Sequence, residues 1–330
     1  MQSQPKIAVI GSGSWATAIV KILSNNCKQI NWYFRKPEDI AFIKQYGHNP
    51  RYLSSVFFDT TKLNLSDNLQ QMIDQSDVVI LAVPSAFIHN TIKDIKGLDR
   101  KIVFSAIKGI VPEYNLIVGE YLNSVYGVAF DNIGVITGPC HAEEVALEKL
   151  SYLTLACGDI SNAEALCRLM ACRYIKCSAS DDIYGTELSA VLKNVIALAG
   201  GICHGIGYGD NFLSVLVSNA IQEIERFVAA VHPIDRDIKA SAYLGDLLVT
   251  AYSQFSRNRM FGTMLGKGYS VKHAQLEMNM IAEGYYAVKC VHEINKKYNV
   301  NMPITEAVYH IIYENKNVVT EMQQLAEKLS

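Results

Sequence analysis

The chain constrains its own fold within sixteen residues. Lys6–Ile10 is a short apolar run that stops at Gly11, and Gly11-Ser-Gly13-Ser-Trp-Ala16 fits the pattern G-x-G-x-x-G/A. From Ser14 to Leu23, the residues Trp15, Ala18, Ile19, Ile22 and Leu23 recur at the spacing of one helical face. A lone glycine turn is weak evidence, but a strand before it and a helix after it make it specific. Gly11 permits the tight turn and Gly13 lets backbone approach a pyrophosphate, whose charge sits at the helix N-terminus. Ala16 permits close helix–sheet packing. The turn predicts dinucleotide binding, with Gly11, Gly13, Ser14 and Trp15 at the cofactor.

Further strand candidates are residues 29–34, 77–83, 101–107, 132–137, 152–157 and 174–177. Strands alternating with helical patterns imply an α/β, Rossmann-like domain with a mostly parallel sheet, covered on both faces. From about Asp182 the texture changes to long helical patterns over 185–198, 211–231, 238–254, 271–298 and 305–313. Gly200, Gly201, Gly205, Gly207 and Gly209 crowd what reads as the connection between the first two. The expected organisation is a dinucleotide-binding domain over 1–180 and an all-α substrate and catalytic domain over 181–330.

Composition excludes several classes. Half of the 330 residues are hydrophobic and 19% are charged, enough to bury a core. Thirty basic against thirty-two acidic side chains leave a net charge of −2, which gives no field to hold a nucleic acid. The longest uncharged apolar run, Asn194 to Gly209, is shorter than the roughly 20 residues of a spanning helix. The N-terminus lacks an export pattern, so no membrane insertion and a cytoplasmic location are expected. The eight cysteines are scattered. Cys167, Cys172 and Cys177 recur every five residues, which fits neither a C-x-x-C pair nor zinc spacing, and buried thiols are the simplest reading. No H-E-x-x-H or similar cluster occurs, so no metal is expected.

The second strand ends Tyr33-Phe34-Arg35-Lys36, where an NAD site commonly carries an acid for the ribose hydroxyl. Two cations, Arg35 and Lys36, suit a 2′-phosphate better. NADP(H) is therefore the expected cofactor, with NAD(H) also usable because Glu38 stands close by. Solvated surface cations are the competing reading.

Three further clusters narrow the chemistry: Lys108-Gly109 after the fourth strand candidate, Gly138-Pro-Cys-His-Ala-Glu-Glu144 after the fifth, and Gly245-Asp246-Leu-Leu with Ser256-Arg-Asn-Arg259 in the helical half. With these the sequence resembles bacterial NAD(P)-dependent glycerol-3-phosphate dehydrogenases along nearly its whole length. The resemblance rests on G-S-G-S-W-A-T-A (11–18), I-K-G-I (107–110), G-P-C-H-A-E-E-V (138–145), E-L-S-A-V-L-K-N-V (187–195), G-D-L-L-V-T (245–250), S-R-N-R-M-F-G (256–262) and A-E-G-Y (282–285). It implies reduction of dihydroxyacetone phosphate to sn-glycerol 3-phosphate for phospholipid synthesis, and a homodimer. Cys140 departs from the family's usual Ser or Thr, and a thiol is the poorer hydrogen-bond donor.

The resemblance also implies residue roles. Lys193 carries the proton; flanked by Val191, Leu192, Val195 and Ile196, its ammonium would lose charge on desolvation, although lysines on apolar helices usually snorkel to water. Lys108 approaches both substrate and cofactor, where its charge would stabilise the C2 oxyanion. Ser256, Arg257 and Asn258 hold the substrate, the guanidinium fork matching phosphate oxygens, with Arg257 also near the cofactor. Alone, S-R-N-R reads as a polar helix end. Asp246 meets substrate and orients Lys193. Gly138 and Cys140 are expected at the substrate; Ala142, Ile281 and Glu283 are expected at the cofactor. His141 is tempting as a base but lies at a position the family varies. Two alternatives remain: another two-domain hydroxy-acid or sugar-acid dehydrogenase, and a non-catalytic NADP(H) sensor.

Overall fold

The computed structural model describes residues 4–278 and 282–330. The strands are β1 (Ile7–Ile10), β2 (Ile30–Tyr33), β3 (Leu63–Ser66), β4 (Val78–Leu81), β5 (Ile102–Ser105), β6 (Ile110–Val111), β7 (Leu116–Ile117), β8 (Ile133–Thr137), β9 (Ser151–Cys157) and β10 (Ile175–Ser180). The chain divides into two compact units, one of Met1–Ile107 and Val118–Ile183, the other of Lys108–Ile117 and Tyr184–Ser330. The second unit thus takes a ten-residue segment, starting at Lys108, from inside the stretch that reads as the first half.

Unit 1 is built on an eight-stranded sheet ordered β10-β9-β8-β5-β4-β1-β2-β3. Its neighbouring strands pair in parallel except β8 with β9, which are antiparallel. Strands β1 and β4 are buried at every residue, IAVI and VVIL. Such unbroken apolar runs mark central parallel strands with both faces covered. The strand order reverses between β1 and β4, where open α/β sheets collect ligands beyond their carboxyl ends. The edge strand β3 escapes the sequence reading. Its LNLS pattern is short and mostly half-buried, and pairing with β2 rather than local apolarity makes it a strand.

Unit 2 is helical apart from the β6–β7 hairpin. Its first helix, Ile183–Gly205, runs through the glycines that read as a connection. The reason is packing. A Cβ at Gly201 would lie 2.1 Å from the carbonyl oxygen of Arg259, and one at Gly262 would lie 2.1 Å from that of Leu198. Gly205 and Gly266 repeat the arrangement one turn further along, against Thr263 and Ile202. The helix therefore meets Arg257–Gly266 backbone to backbone, closer than any side chain permits. This helix is long and apolar enough to span a membrane, yet 89% of its apolar window is buried inside the protein.

Two other helical expectations each divide into two segments. The pattern over 238–254 resolves into a π-helical segment Ser241–Gly245 followed by the helix Asp246–Tyr252. The pattern over 271–298 resolves into Val271–Glu277 and Glu283–Tyr298. Further on, the buried Glu223 accepts from the backbone N–H groups of Ile304 (2.8 Å) and Thr305 (3.0 Å) and from the Thr305 hydroxyl (2.6 Å). It thereby caps the helix Pro303–Tyr313 from the helix Asp210–Val231.

Gly201→Ala should destabilise the fold by about 2 kcal/mol or more, because a carbonyl of the facing helix cannot yield as a side chain can. Gly200→Ala, whose Cβ meets only a methyl of Leu213 at 3.2 Å, should cost far less or stabilise by helix propensity. Urea unfolding of both variants separates them; equal midpoints would refute the backbone-contact account.

Candidate active site

In unit 1 the glycine-rich turn begins at the carboxyl end of β1. Gly11 has φ +133°, and a Cβ there would lie 2.3 Å from the carbonyl oxygen of Ala82, just beyond β4. Only glycine fits the turn at the point of strand-order reversal. The turn's carbonyls are tied down: Trp32 Nε1 donates to Gly11 O at 2.8 Å, and Asn49 Nδ2 donates to Ser12 O at 3.0 Å. Thr17 Oγ1 donates to Gly13 O at 2.9 Å. Gly13 precedes the helix Ser14–Leu23 without a side-chain cap, and a Cβ on it would meet nothing within 4 Å. The helix thus starts without a side-chain cap and with open space beside Gly13, a cradle that suits a pyrophosphate.

At the end of β2, Arg35 is exposed and Lys36 half-buried. Lys36 Nζ stands 3.8 Å from Glu38, which is also 3.9 Å from Arg51. Arg51 in turn grips the buried Asp39 through Nε at 3.0 and 3.1 Å. Lys36 and Arg51 thus stand about the exposed carboxylate of Glu38 beyond the carboxyl end of β2.

Gly138 follows β8 with φ +115°, its position closed by the backbone of Tyr152, Leu153 and Thr154. Cys140 and Ala142 are buried in the unit 1 core. Ala142 opens the short helix Ala142–Ala146, which packs on the helix Ser14–Leu23. Lys21 of that helix reaches Glu148 at 2.9 Å, and Arg173 pairs with the same carboxylate. The two candidate turns of unit 1 therefore share one packed layer.

In unit 2 the structure gathers three charges. Lys193, 5% exposed, does not snorkel. Its ammonium donates to Asp246 Oδ1, while Lys108 donates to Asp246 Oδ2 at 3.2 Å. Asp246 stands where the π-helical segment gives way to an α-helix, and its carbonyl accepts from Thr250 Oγ1 at 2.7 Å. π-Segments inside helices recur at functional positions.

Asp246 thus pairs with two ammoniums at once. Burial is the strongest influence on Lys193 and lowers its pKa, from 10.5 to about 7. Asp246 opposes that shift, and Lys108 reinforces it. For Asp246, burial acts to raise the pKa, but the two lysines together hold it below its ordinary value. The carboxylate stays ionised, and Lys193 is the group that gives up its proton near neutrality.

An amide chain fixes this arrangement. Asn194 Nδ2 donates to the Lys108 carbonyl at 2.7 Å, Asn258 Nδ2 to Asn194 Oδ1 at 2.9 Å, and the Gly284 amide to Asn258 Oδ1 at 2.9 Å. Gly284 is itself required, since a Cβ would lie 2.6 Å from the Asn194 carbonyl. Four segments are thus pinned together within unit 2. Asn258 spends its carbonyl and one N–H on this chain, which leaves its second N–H for a ligand.

Ser256 caps the helix Arg257–Gly266, its Oγ accepting from the Arg259 amide at 3.2 Å. S-R-N-R is thus a helix start rather than an end, and Arg257 is the first helical residue. Glu283 likewise opens the helix Glu283–Tyr298. Ile281 lies outside the described residues. Among the described residues, no three His, Cys, Asp or Glu side chains form a group able to hold a metal. Sequence reading missed Asn194, Asn49 and Trp32 as positioning residues. Asn194 is signalled only by being the polar residue next to Lys193, and the other two carry no local signal.

The sequence profile described as NAD-dependent glycerol-3-phosphate dehydrogenase N-terminus matches residues 6–163, and its C-terminus counterpart matches residues 182–323. The chain belongs to the NAD-dependent glycerol-3-phosphate dehydrogenase family. Glycerol-3-phosphate dehydrogenase [NAD(P)+] of Lacticaseibacillus paracasei is 32% identical, over 98% of this chain and 95% of its own. The Listeria monocytogenes protein of the same name is 34% identical over 96% and 94%. A crystal structure of glycerol-3-phosphate dehydrogenase from Coxiella burnetii matches with a TM-score of 0.90 at 27% identity, covering 98% and 99% of the two chains. A D-mandelate dehydrogenase matches with a TM-score of 0.62 at 16% identity, a likeness of fold alone.

Lys108→Met should raise the pKa of Lys193 above about 7, and Asp246→Asn should lower it further. Nitrogen-15 NMR of the lysine Nζ reads both. Shifts of the same sign in the two variants would contradict the shared-carboxylate account.

Proposed function

We propose that the chain catalyses the NAD(P)-dependent interconversion of dihydroxyacetone phosphate and sn-glycerol 3-phosphate, with reduction supplying the glycerol phosphate of phospholipids. The observation that carries this reading is the Lys108–Asp246–Lys193 cluster, in which two ammoniums meet one buried carboxylate, in a chain of this family. When bound, the nicotinamide supplies or accepts the hydride at C2.

Lys193 moves the proton. Its ammonium donates to the C2 oxygen of dihydroxyacetone phosphate, and its neutral amine accepts the C2 hydroxyl proton in the reverse direction. A pKa of about 7 places both forms within reach at neutral pH. Lys108 stabilises negative charge on the same oxygen. Asp246 holds the two lysines in register and meets the substrate. Arg257, with Ser256 and the remaining N–H of Asn258, grips the phosphate. Gly138 and Cys140 offer backbone and a thiol to the substrate.

Unit 1 supplies the dinucleotide site in this reading: Gly11, Gly13, Ser14 and Trp15 at the pyrophosphate, with Ala142 nearby. Lys108, Arg257, Ile281 and Glu283 add contacts from the rest of the chain. Arg35 and Lys36 select the 2′-phosphate, so NADPH is the preferred reductant and NADH a poorer one. A homodimer in the cytoplasm completes the proposal; no step above depends on it.

The direct test follows the loss of NADPH absorbance on adding dihydroxyacetone phosphate. Lys193→Met should lower kcat by about 10²-fold or more while leaving NADPH binding unchanged; near-normal turnover would exclude the assignment. Reduction should slow as pH rises through about 7, because the ammonium is lost, and oxidation should slow as pH falls through it. Arg257→Lys should raise KM for dihydroxyacetone phosphate about tenfold, the loss of a bidentate contact. A kcat/KM for NADH equal to or above that for NADPH would refute the cofactor preference.

A further inference from the structure

Asn49 is buried, and its side-chain amide spends both donors and both acceptor positions on two segments of unit 1. Nδ2 donates to Ser12 O at 3.0 Å and to Thr17 Oγ1 at 2.9 Å, on the glycine-rich turn and the helix behind it. Oδ1 accepts from the backbone N–H groups of Arg51 at 2.9 Å and Tyr52 at 3.2 Å. One amide therefore ties Arg51 to the turn that suits a pyrophosphate. Arg51 then reaches the first turn of the helix Pro37–Tyr46, which follows β2. Its Nε donates to both oxygens of Asp39, a carboxylate buried on that helix. Its Nη2 stands 3.9 Å from Glu38, beyond hydrogen-bond reach, and Lys36 Nζ stands 3.8 Å from the same Glu38 oxygen. Among the described residues, none accepts a hydrogen bond from the Nη groups of Arg51.

We propose that Arg51 is a specificity-determining residue of the cofactor site. Its Nη groups, with Lys36, take the ribose 2′-phosphate, and Glu38 occupies that place until the phosphate displaces it. This assignment rests on the reading of unit 1 as an NADP(H) site.

Position supports it first. In a sheet of this kind the adenosine ribose lies beyond the carboxyl end of the second strand. Lys36, Glu38 and Asp39 follow directly on β2, and Arg51 comes to the same place from a separate loop. Chemistry agrees. Asp39 engages only Nε, so it fixes the guanidinium and leaves the Nη N–H groups to form the fork that matches phosphate oxygens. Glu38 is a weak competitor for them, because exposed ion pairs hold loosely. A phosphate also brings nearly two negative charges where the carboxylate brings one. The shared Asn49 amide keeps the cation at a fixed separation from the glycine turn, as two phosphate groups of one ligand require. An acid after the second strand has another possible role, holding the ribose hydroxyl. The two roles make opposite predictions for Glu38. An acid on the hydroxyl strengthens binding of any adenosine ligand, whereas one that fills a phosphate site weakens only ligands that carry the 2′-phosphate.

Isothermal titration calorimetry of the full chain with adenosine 2′,5′-bisphosphate and with adenosine 5′-monophosphate tests this without turnover, because the two ligands differ only by the 2′-phosphate. The unaltered protein should bind the bisphosphate more tightly. Arg51→Lys keeps a cation for Asp39 but loses the fork, and should weaken the bisphosphate about tenfold while leaving the monophosphate unchanged. Glu38→Gln should tighten the bisphosphate about threefold and leave the monophosphate unchanged. Glu38 is exposed, so its variant decides the matter even if Arg51→Lys fails to fold. If the unaltered protein prefers the bisphosphate and either folded variant leaves both affinities unchanged, the roles of Arg51 and Glu38 are overturned while the NADP(H) reading stands. Weaker binding of both ligands by Glu38→Gln would make Glu38 the acid on the ribose hydroxyl and overturn them as well. Equal affinity of the unaltered protein for the two ligands would bring down the NADP(H) reading, and this assignment with it.

Discussion

Asp246 is the hinge of the site's chemistry. Two ammonium groups share its carboxylate, Lys193 buried with it and Lys108 partly exposed, and each buried charge costs several kcal/mol that pairing only partly offsets. Burial, with Lys108 beside it, lowers the pKa of Lys193 to about 7 although Asp246 opposes the shift, so the ammonium can release its proton near neutrality.

Such a cluster persists only if its surroundings cannot relax. The glycine contacts between Ile183–Gly205 and Arg257–Gly266 bring two backbones together and leave no slack for the helix that carries Lys193. The chain of amides from Gly284 through Asn258 and Asn194 to the Lys108 carbonyl fixes the other cation. Rigid backbone contact and hydrogen-bonded amides do the same work by different means: they hold charges where solvation would pull them apart. In unit 1 the logic is repeated without charge, where Trp32 and Asn49 hold the carbonyls of a glycine turn in place.

Much of this was written locally. The turn at Gly11–Ala16, the apolar strands β1 and β4, and the change to helices after Asp182 follow from periodicity and glycine placement, because these elements bury nearly all that they contain. Elements whose stability comes from partners were not legible. β3 is a strand only beside β2, the glycines at 200, 201 and 205 look like a loop until a second helix is laid against them, and the pattern over 238–254 conceals a π-helical segment. Lys193 and Asp246 were each identifiable from motifs, but not that Lys108 shares the same carboxylate, 138 residues from Asp246 in sequence.

The sequence by itself determined the layers, the dinucleotide turn and the residue types that chemistry would need, since these depend on spacing along the chain. Only the tertiary structure decided which of those residues act on one another. Charge sharing at Asp246 and the closeness of two glycine-lined helices are both matters of a few ångströms between distant segments. Electrostatic and packing energies change sign over such distances, and no local pattern encodes them.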